Sequence, residues 1–225
     1  MNKKSELLKL IPEQGIVPLY YSSDARTSIE TMKALYAAGI RTTEYADRGE
    51  AALKNFKEMR KVCDAELPGM YLGIGTIKSV ASARIYIDEG AEFLVTPGIL
   101  GPVIEISDAN ELLCIPGCMT PTEIIQAETL GAEIVKLFPA NTLGPGFIDA
   151  VQAVVPDIKF LPTGGIELHH DNLVSWFKSG VCAVGGSKMI TKDILENQRY
   201  EQLTADATAA FERIQGIKDN LKKAK

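Results

Sequence analysis

Short apolar runs and longer amphipathic stretches alternate along this chain from one end to the other. The strand candidates, most of them largely apolar, fall at 15–21, 41–46, 71–75, 93–96, 112–115, 134–138, 160–162 and 182–184. Each is brief and closes on glycine, proline or a polar residue. Continuous apolar strands are expected where both faces are buried, as in a parallel sheet. Helical spacing fills the gaps. The stretch 25–38 places Ile29, Met32, Leu35 and Tyr36 on one stripe, and 50–63 follows with Leu53, Phe56, Lys57 and Arg60. Segments 79–89 and 121–130 share that character. Gly39, Gly90, Gly131 and Gly180 each follow such a stripe, where glycine suits a left-handed C-cap before the next strand. Thr120-Pro121-Thr122-Glu123 reads as a helix start, with Thr120 as N-cap and Glu123 completing a capping box.

Eight β/α units with no linker or low-complexity break predict one α/β domain over residues 1–225, a single (β/α)8 TIM barrel. Two further helices stand outside the repeat. The N-terminal one, 5–11, is expected to plug the barrel bottom. The C-terminal one, 201–222, is expected to pack outside and fray at Lys222-Lys223-Ala224-Lys225. A doubly wound open sheet is the alternative arrangement of the same elements.

Composition narrows the function classes. The chain has 225 residues, 46% hydrophobic and 24% charged, with a formal charge of −5, which speaks against a nucleic-acid surface. No apolar run is long enough to span a membrane, and no signal-peptide pattern follows the charged start. Four cysteines and the adjacent pair His169-His170 form no metal-ligand pattern. The expectation is a cytoplasmic protein with free, mostly buried thiols and no metal or other cofactor. His169 and His170 read as helix-start residues, and Trp176 and Phe177 as packing or subunit contacts.

Lys136 changes the picture most. It sits inside Ile134-Val135-Lys136-Leu137-Phe138-Pro139. A strand buried on both faces rarely holds lysine, because the ammonium loses its hydration. Burial favours the neutral amine, which Schiff-base chemistry with a ketone needs. A surface lysine on an edge strand is the plain alternative. In a barrel, chemistry sits at the C-terminal ends of the strands. There the second strand brings Glu44 toward the same interior, with a structural Glu–Lys pair as the alternative to catalysis. Arg48 follows at the rim, where a guanidinium can grip a carboxylate in two-pronged fashion. Asp47 reads as a helix cap or an Arg48 partner. Gly164-Gly165 and Gly185-Gly186-Ser187 end the last two strands, the place where barrels bind phosphate through backbone N–H groups. Tight strand-to-helix turns alone would use the same glycines.

In order along the chain stand Glu44 with Arg48, Gly73-Ile74-Gly75-Thr76, Thr96-Pro97-Gly98, Ile115-Pro116-Gly117, Val135-Lys136-Leu137-Phe138-Pro139-Ala140, Pro162-Thr163-Gly164-Gly165 and Val184-Gly185-Gly186-Ser187. From about residue 15 to 187 the chain resembles the 2-keto-3-deoxy-6-phosphogluconate (KDPG) and 4-hydroxy-2-oxoglutarate (KHG) aldolase family. The resemblance implies a metal-free homotrimer of (β/α)8 barrels acting on a phosphorylated sugar acid. It makes Lys136 the Schiff-base lysine and Glu44 the acid/base. Arg48 and Thr76 would bind the pyruvyl carboxylate, and Pro97 and Phe138 would line the pyruvyl pocket. Thr163 would contact substrate, and Gly164, Gly165, Gly186 and Ser187 would hold phosphate. The expected reaction cleaves KDPG to pyruvate and glyceraldehyde 3-phosphate, and KHG to pyruvate and glyoxylate. One departure stands out: the family commonly reads like Val-Thr-Leu-Arg-Thr after the glutamate, whereas here Tyr45-Ala46-Asp47-Arg48-Gly49 sets a charge beside the carboxylate binder. The related phosphogalactonate aldolases tend to carry valine where Thr163 stands. That epimer-specific aldolase, a phosphosugar isomerase or epimerase, and a non-catalytic phosphometabolite-binding barrel are the competing readings.

Overall fold

The computed structural model describes residues 2–223. Its strands are β1 (Ile16–Tyr20), β2 (Thr42–Ala46), β3 (Tyr71–Gly75), β4 (Phe93–Val95), β5 (Leu113–Ile115), β6 (Gly117–Cys118), β7 (Ile134–Leu137), β8 (Lys159–Pro162) and β9 (Val184–Gly186). The helices between them are α1 (Lys3–Gln14), α2 (Ala25–Ala37), α3 (Ala52–Glu66), α4 (Val80–Asp88), α5 (Gly101–Ala109), α6 (Pro121–Thr129), α7 (Ala140–Leu143), α8 (Pro145–Val151), α9 (His170–Lys178), α10 (Lys192–Glu196) and α11 (Tyr200–Lys223). Every strand pairing is parallel.

The strands form a curled α/β sheet, but their ladders fall into two pieces. One has the order β5-β4-β3-β2-β1-β9, the other β6-β7-β8. Proline causes the break. Pro116 has no N–H to give, so the fifth expected strand splits around it. β5 pairs with β4, and β6 pairs with β7. The Pro116 carbonyl still accepts from the Lys136 N–H at 2.8 Å, which seats the strand that carries the lysine. At the opposite margin the Cys182 N–H donates to the Phe160 carbonyl at 3.0 Å, just ahead of β9.

Two apolar clusters sort the faces. The larger lies between the sheet and the helices around it. The smaller gathers side chains from both sheets: Val17, Phe93, Val95, Leu113, Ile115, Ile134, Leu161 and Ala183, together with Leu7 and Ile11 of α1. Each fully buried Val, Leu, Ile or Phe side chain among them contributes roughly 1.5–3 kcal/mol. Helix α1 lies across the N-terminal ends of the strands, where Gln14 donates to Thr42 at 2.7 Å and Lys3 pairs with Glu92 at 3.0 Å.

Helix signals read from sequence hold locally. Gly39, Gly90, Gly131 and Gly180 all have positive φ, and Thr120 and Glu123 make the reciprocal capping box. His169 caps α9, and Trp176 and Phe177 are buried on it. The face of α3 is turned from its expected stripe. It buries Ala52, Asn55, Phe56, Met59 and Cys63, while Lys57 and Arg60 reach sideways to Glu89 and Glu92. Helix α11 packs outside against α2, with Thr204 Oγ1 donating to the Ala34 carbonyl at 3.3 Å. It stays helical through Lys223; Ala224 and Lys225, where fraying is expected, lie outside the described residues. Among the described residues no helix is long and apolar enough to cross a membrane.

Candidate active site

β7 carries Ile134 and Lys136 two residues apart, so both project from one face of the strand. Ile134 joins the interior apolar cluster. Lys136 lies one layer nearer the C-terminal end. Its Nζ stands 3.1 Å from Glu44 Oε1 and 3.5 Å from Oε2, with side chains only 8% and 3% exposed. Glu44 reaches this position from β2, lying over Gly75 of β3; a Cβ on Gly75 would stand 1.8 Å from Glu44 Oε1. A buried ion pair loses hydration on both sides, and only close contact between the two charges offsets that cost. From sequence alone the lysine faces desolvation without a partner. In the fold Glu44 compensates the buried ammonium and is also its nearest proton acceptor. The Phe138 ring lies 5.6 Å from the same Nζ.

Lys136 opens onto a cavity of about 500 Å³. Arg48, Thr76, Pro97, Phe138, Thr163, Gly164 and Ser187, all singled out by sequence, share its wall. Arg48 is exposed at the rim, and no carboxylate pairs with it among the described residues. Thr76 has φ +65°, a strained conformation for a β-branched residue. Thr163 is 4% exposed, and its hydroxyl oxygen has no hydrogen-bond partner among the described residues. Buried polar groups are normally paired, so an orphan hydroxyl on a cavity wall is poised for a ligand. The Gly164, Gly165 and Ser187 amides have no backbone acceptor among the described residues.

Three expected residues are off the wall. Glu44 is reached only through Lys136. Gly165 packs against Asn141, and Gly186 packs against Ile16 within the β1–β9 ladder. Asp47 is a correction: it neither caps a helix nor pairs with Arg48. Its carboxylate accepts instead from Ser82 and Tyr86 of α4, each at 2.8 Å. Five wall residues escape the sequence reading: Leu19, Tyr20, Tyr21, Ile190 and Leu195. The first three follow from the rule that selects strand ends, applied to the first strand as well. Ile190 and Leu195 carry no such signal, because they sit on a turn and a helix of five residues.

A buried amine touching a carboxylate, below a rim guanidinium and beside unpaired amides, suits covalent chemistry on a ketone that bears anionic ends. Sequence comparison agrees. A family model described as "KDPG and KHG aldolase" matches residues 8–205. The chain belongs to the KDPG and KHG aldolase family. Its members are aldehyde-lyases. The 2-dehydro-3-deoxy-phosphogluconate aldolase of Dickeya dadantii (strain 3937) is 30% identical over 212 residues, covering 93% of this chain and 96% of that protein. Among solved structures, the 4-hydroxy-2-oxoglutarate/2-dehydro-3-deoxyphosphogluconate aldolase from TTHB1 superposes with a TM-score of 0.81 at 30% identity. It covers 95% of this chain and 99% of its own. The KDPG aldolase of Legionella pneumophila, solved with pyruvate captured as a covalent carbinolamine, gives 0.82 at 23% identity over 93% and 98% of the two chains. That likeness extends the shared fold of the aldolase family.

Proposed function

We propose that this chain is a class I aldolase that cleaves KDPG to pyruvate and glyceraldehyde 3-phosphate. KHG, giving pyruvate and glyoxylate, is a second substrate of the same site. The observation that carries this is the buried Lys136–Glu44 contact of 3.1 Å at the floor of a cavity rimmed by Arg48. Glu44 takes a proton from the Lys136 ammonium. The free amine adds to the C2 ketone, and Glu44 gives its proton to the carbinolamine hydroxyl, which leaves as water; this forms a protonated Schiff base, an electron sink, and restores the Glu44 carboxylate. Glu44, through a water, removes the C4 hydroxyl proton. The C3–C4 bond breaks, its electrons pass into the iminium as an enamine, and the aldehyde leaves. The enamine takes a proton at C3, and hydrolysis returns pyruvate and free Lys136.

Arg48 and Thr76 bind the pyruvyl carboxylate, while Pro97 and Phe138 wall the pyruvyl half. Gly164, Gly165, Gly186 and Ser187 hold the phosphate, so that remote binding energy places the reacting bond. The unpaired amides at 164, 165 and 187 support this placement. Thr163, with its orphan hydroxyl, reads the C4 side and favours the phosphogluconate epimer over the phosphogalactonate one. Comparing cleavage of the two epimers tests that assignment.

The two sheets, in this reading, are halves of one closed (β/α)8 barrel that makes up a single domain with α1 and α11 as additions. Support comes from the Cys182–Phe160 hydrogen bond at one seam and from an interior cluster drawing on both sheets. We assign a homotrimer, for which exposed Met119 and Ile125 offer apolar surface, and a reducing cytoplasmic setting, in keeping with four free thiols. Light scattering checks the assembly.

Borohydride trapping with pyruvate, followed by peptide mass spectrometry, tests the chemistry. A reduced pyruvyl adduct on Lys136 is expected. No adduct on any lysine of folded protein at saturating pyruvate would overturn the assignment.

A further inference from the structure

Asp47 stands immediately before Arg48, where a free carboxylate would compete with any anion that Arg48 is meant to bind. The fold disposes of it in a specific way. Asp47 Oδ1 accepts from the Tyr86 hydroxyl and Oδ2 from the Ser82 hydroxyl, both at 2.8 Å. These two donors lie four residues apart, on one face of α4. Tyr86 is 2% exposed, and its ring meets Phe56 edge-on at a centroid distance of 5.2 Å, so packing fixes the hydroxyl. Burial, and then the Asp47 carboxylate, hold the Tyr86 phenol far above the usual range for tyrosine, which keeps it a donor. The Asp47 N–H meanwhile donates to the Gly75 carbonyl at 2.8 Å. That carbonyl belongs to the peptide leading into Thr76, whose positive φ must be held by its surroundings.

One residue thus fastens the end of β2, which carries Arg48, to both flanks of Thr76: the end of β3 and the first turns of α4. On the other side of Arg48, Gly49 lies against Tyr21, where a Cβ would stand 2.9 Å from the phenol oxygen. The turn bearing the guanidinium is therefore held from two directions.

We propose that Asp47 is a positioning residue that sets Arg48 and Thr76 relative to each other as a two-pronged site for the substrate carboxylate, and that Ser82 and Tyr86 turn its charge away from Arg48. This rests on the assignment of Arg48 and Thr76 to the pyruvyl carboxylate. It explains why the charge at position 47 does not cost the site its anion preference. Each carboxylate oxygen accepts one hydrogen bond from a neutral hydroxyl, and no ion pair with Arg48 forms among the described residues.

The test is kinetic, in the condensation direction, with pyruvate and glyceraldehyde 3-phosphate varied separately. Exchange of the pyruvate methyl protons in deuterated water is followed alongside, since it needs no aldehyde. Asp47→Ala should raise the KM for pyruvate roughly 10–100-fold, the scale of a misplaced positioning group. The KM for glyceraldehyde 3-phosphate should stay within about twofold, and exchange at saturating pyruvate within about threefold. Asp47→Asn, whose amide can still bond both hydroxyls, should keep the pyruvate KM within about threefold of wild type. Tyr86→Phe keeps the ring packing and frees one carboxylate oxygen. Its pyruvate KM should rise several-fold, and more at low salt than at high. An unchanged pyruvate KM in folded Asp47→Ala, or equal rises in both KM values, would overturn the proposal. Should the alanine variant not fold, an unchanged pyruvate KM in Tyr86→Phe would do the same. A wild-type protein that forms no trapped pyruvate adduct refutes the aldolase assignment and this proposal together. An adduct with no KM shift in the variants refutes this proposal alone.

Discussion

Gly73 and Gly75 sit two residues apart on β3 and make room for two very different neighbours. A Cβ at Gly73 would lie 2.3 Å from the Phe93 ring, and one at Gly75 would lie 1.8 Å from the Glu44 carboxylate. Residues i and i+2 of a strand face the same way, so the pair samples successive layers of one interior. The lower layer is apolar, filled by Phe93, Leu113 and Ile134 around the end of α1. The upper layer holds a carboxylate and an ammonium in contact. A shift of one layer along the same strands turns apolar packing into a buried ion pair. A glycine does the same job in both layers, yet what it protects differs: stability below, the placement of Glu44 above.

Removing the amine makes the largest change. Lys136→Ala should cut KDPG cleavage by at least about 10⁴-fold, since no other lysine lines the cavity among the described residues. Phosphate affinity, read by calorimetry with inorganic phosphate, should hold; substantial residual cleavage would break the assignment of the upper layer to covalent chemistry. Glu44→Gln should slow turnover by about 10²–10⁴-fold, the usual worth of a general acid/base. Gly75→Ala should cost on the order of 10²-fold in kcat/KM by pushing the carboxylate aside. The comparison sharpens with Gly73→Ala. It should destabilise by about 1–3 kcal/mol through overpacking against Phe93, with kcat/KM of the folded enzyme near wild type. Thermal melts read the loss, and a second change, Phe93→Leu, should restore part of it. Equal activity losses in the two glycine variants would erase the distinction between layers.

The smallest effect concerns the thiols. Burial pushes Cys63, Cys114 and Cys118 up to about 12, against 9.0 for an unburied thiol. A raised pKa in the folded state means that the native protein binds the extra protons. Their contribution is fully present below pH ~9 and is lost as pH rises toward 12. Melting temperature should therefore fall through that window, and iodoacetamide at pH 8 should label these three thiols only after unfolding.

Much of this was legible from residue order. Alternating periods predict parallel strands with helices between them, because strands buried on both faces are mostly apolar. The capping box at Thr120 and the C-cap glycines are local chemistry and stand where sequence puts them. Lys136 announces itself because nothing else in its strand is polar. Glu44, Arg48 and Thr76 are found by their place at strand ends, and the wall of the cavity brings Arg48 and Thr76 together with Lys136.

What the chain does not disclose on its own depends on contacts between residues far apart. Lys136 and Glu44 are 92 positions apart, and only the curl of the sheet sets their atoms at 3.1 Å. Pro116 is visible in the sequence, but that it divides the fifth strand between two ladders depends on where β4 and β7 lie. The partner of Asp47 could not be read locally, since its adjacent arginine is the obvious candidate and the actual donors stand 35 and 39 positions away on α4. Sequence by itself determined most of the strands, the longer helices and which residues to single out as candidates for chemistry, because periodicity, capping and desolvation act over a few residues. Tertiary structure alone decided which charge meets which, since pairing is a matter of distance in space and not along the chain.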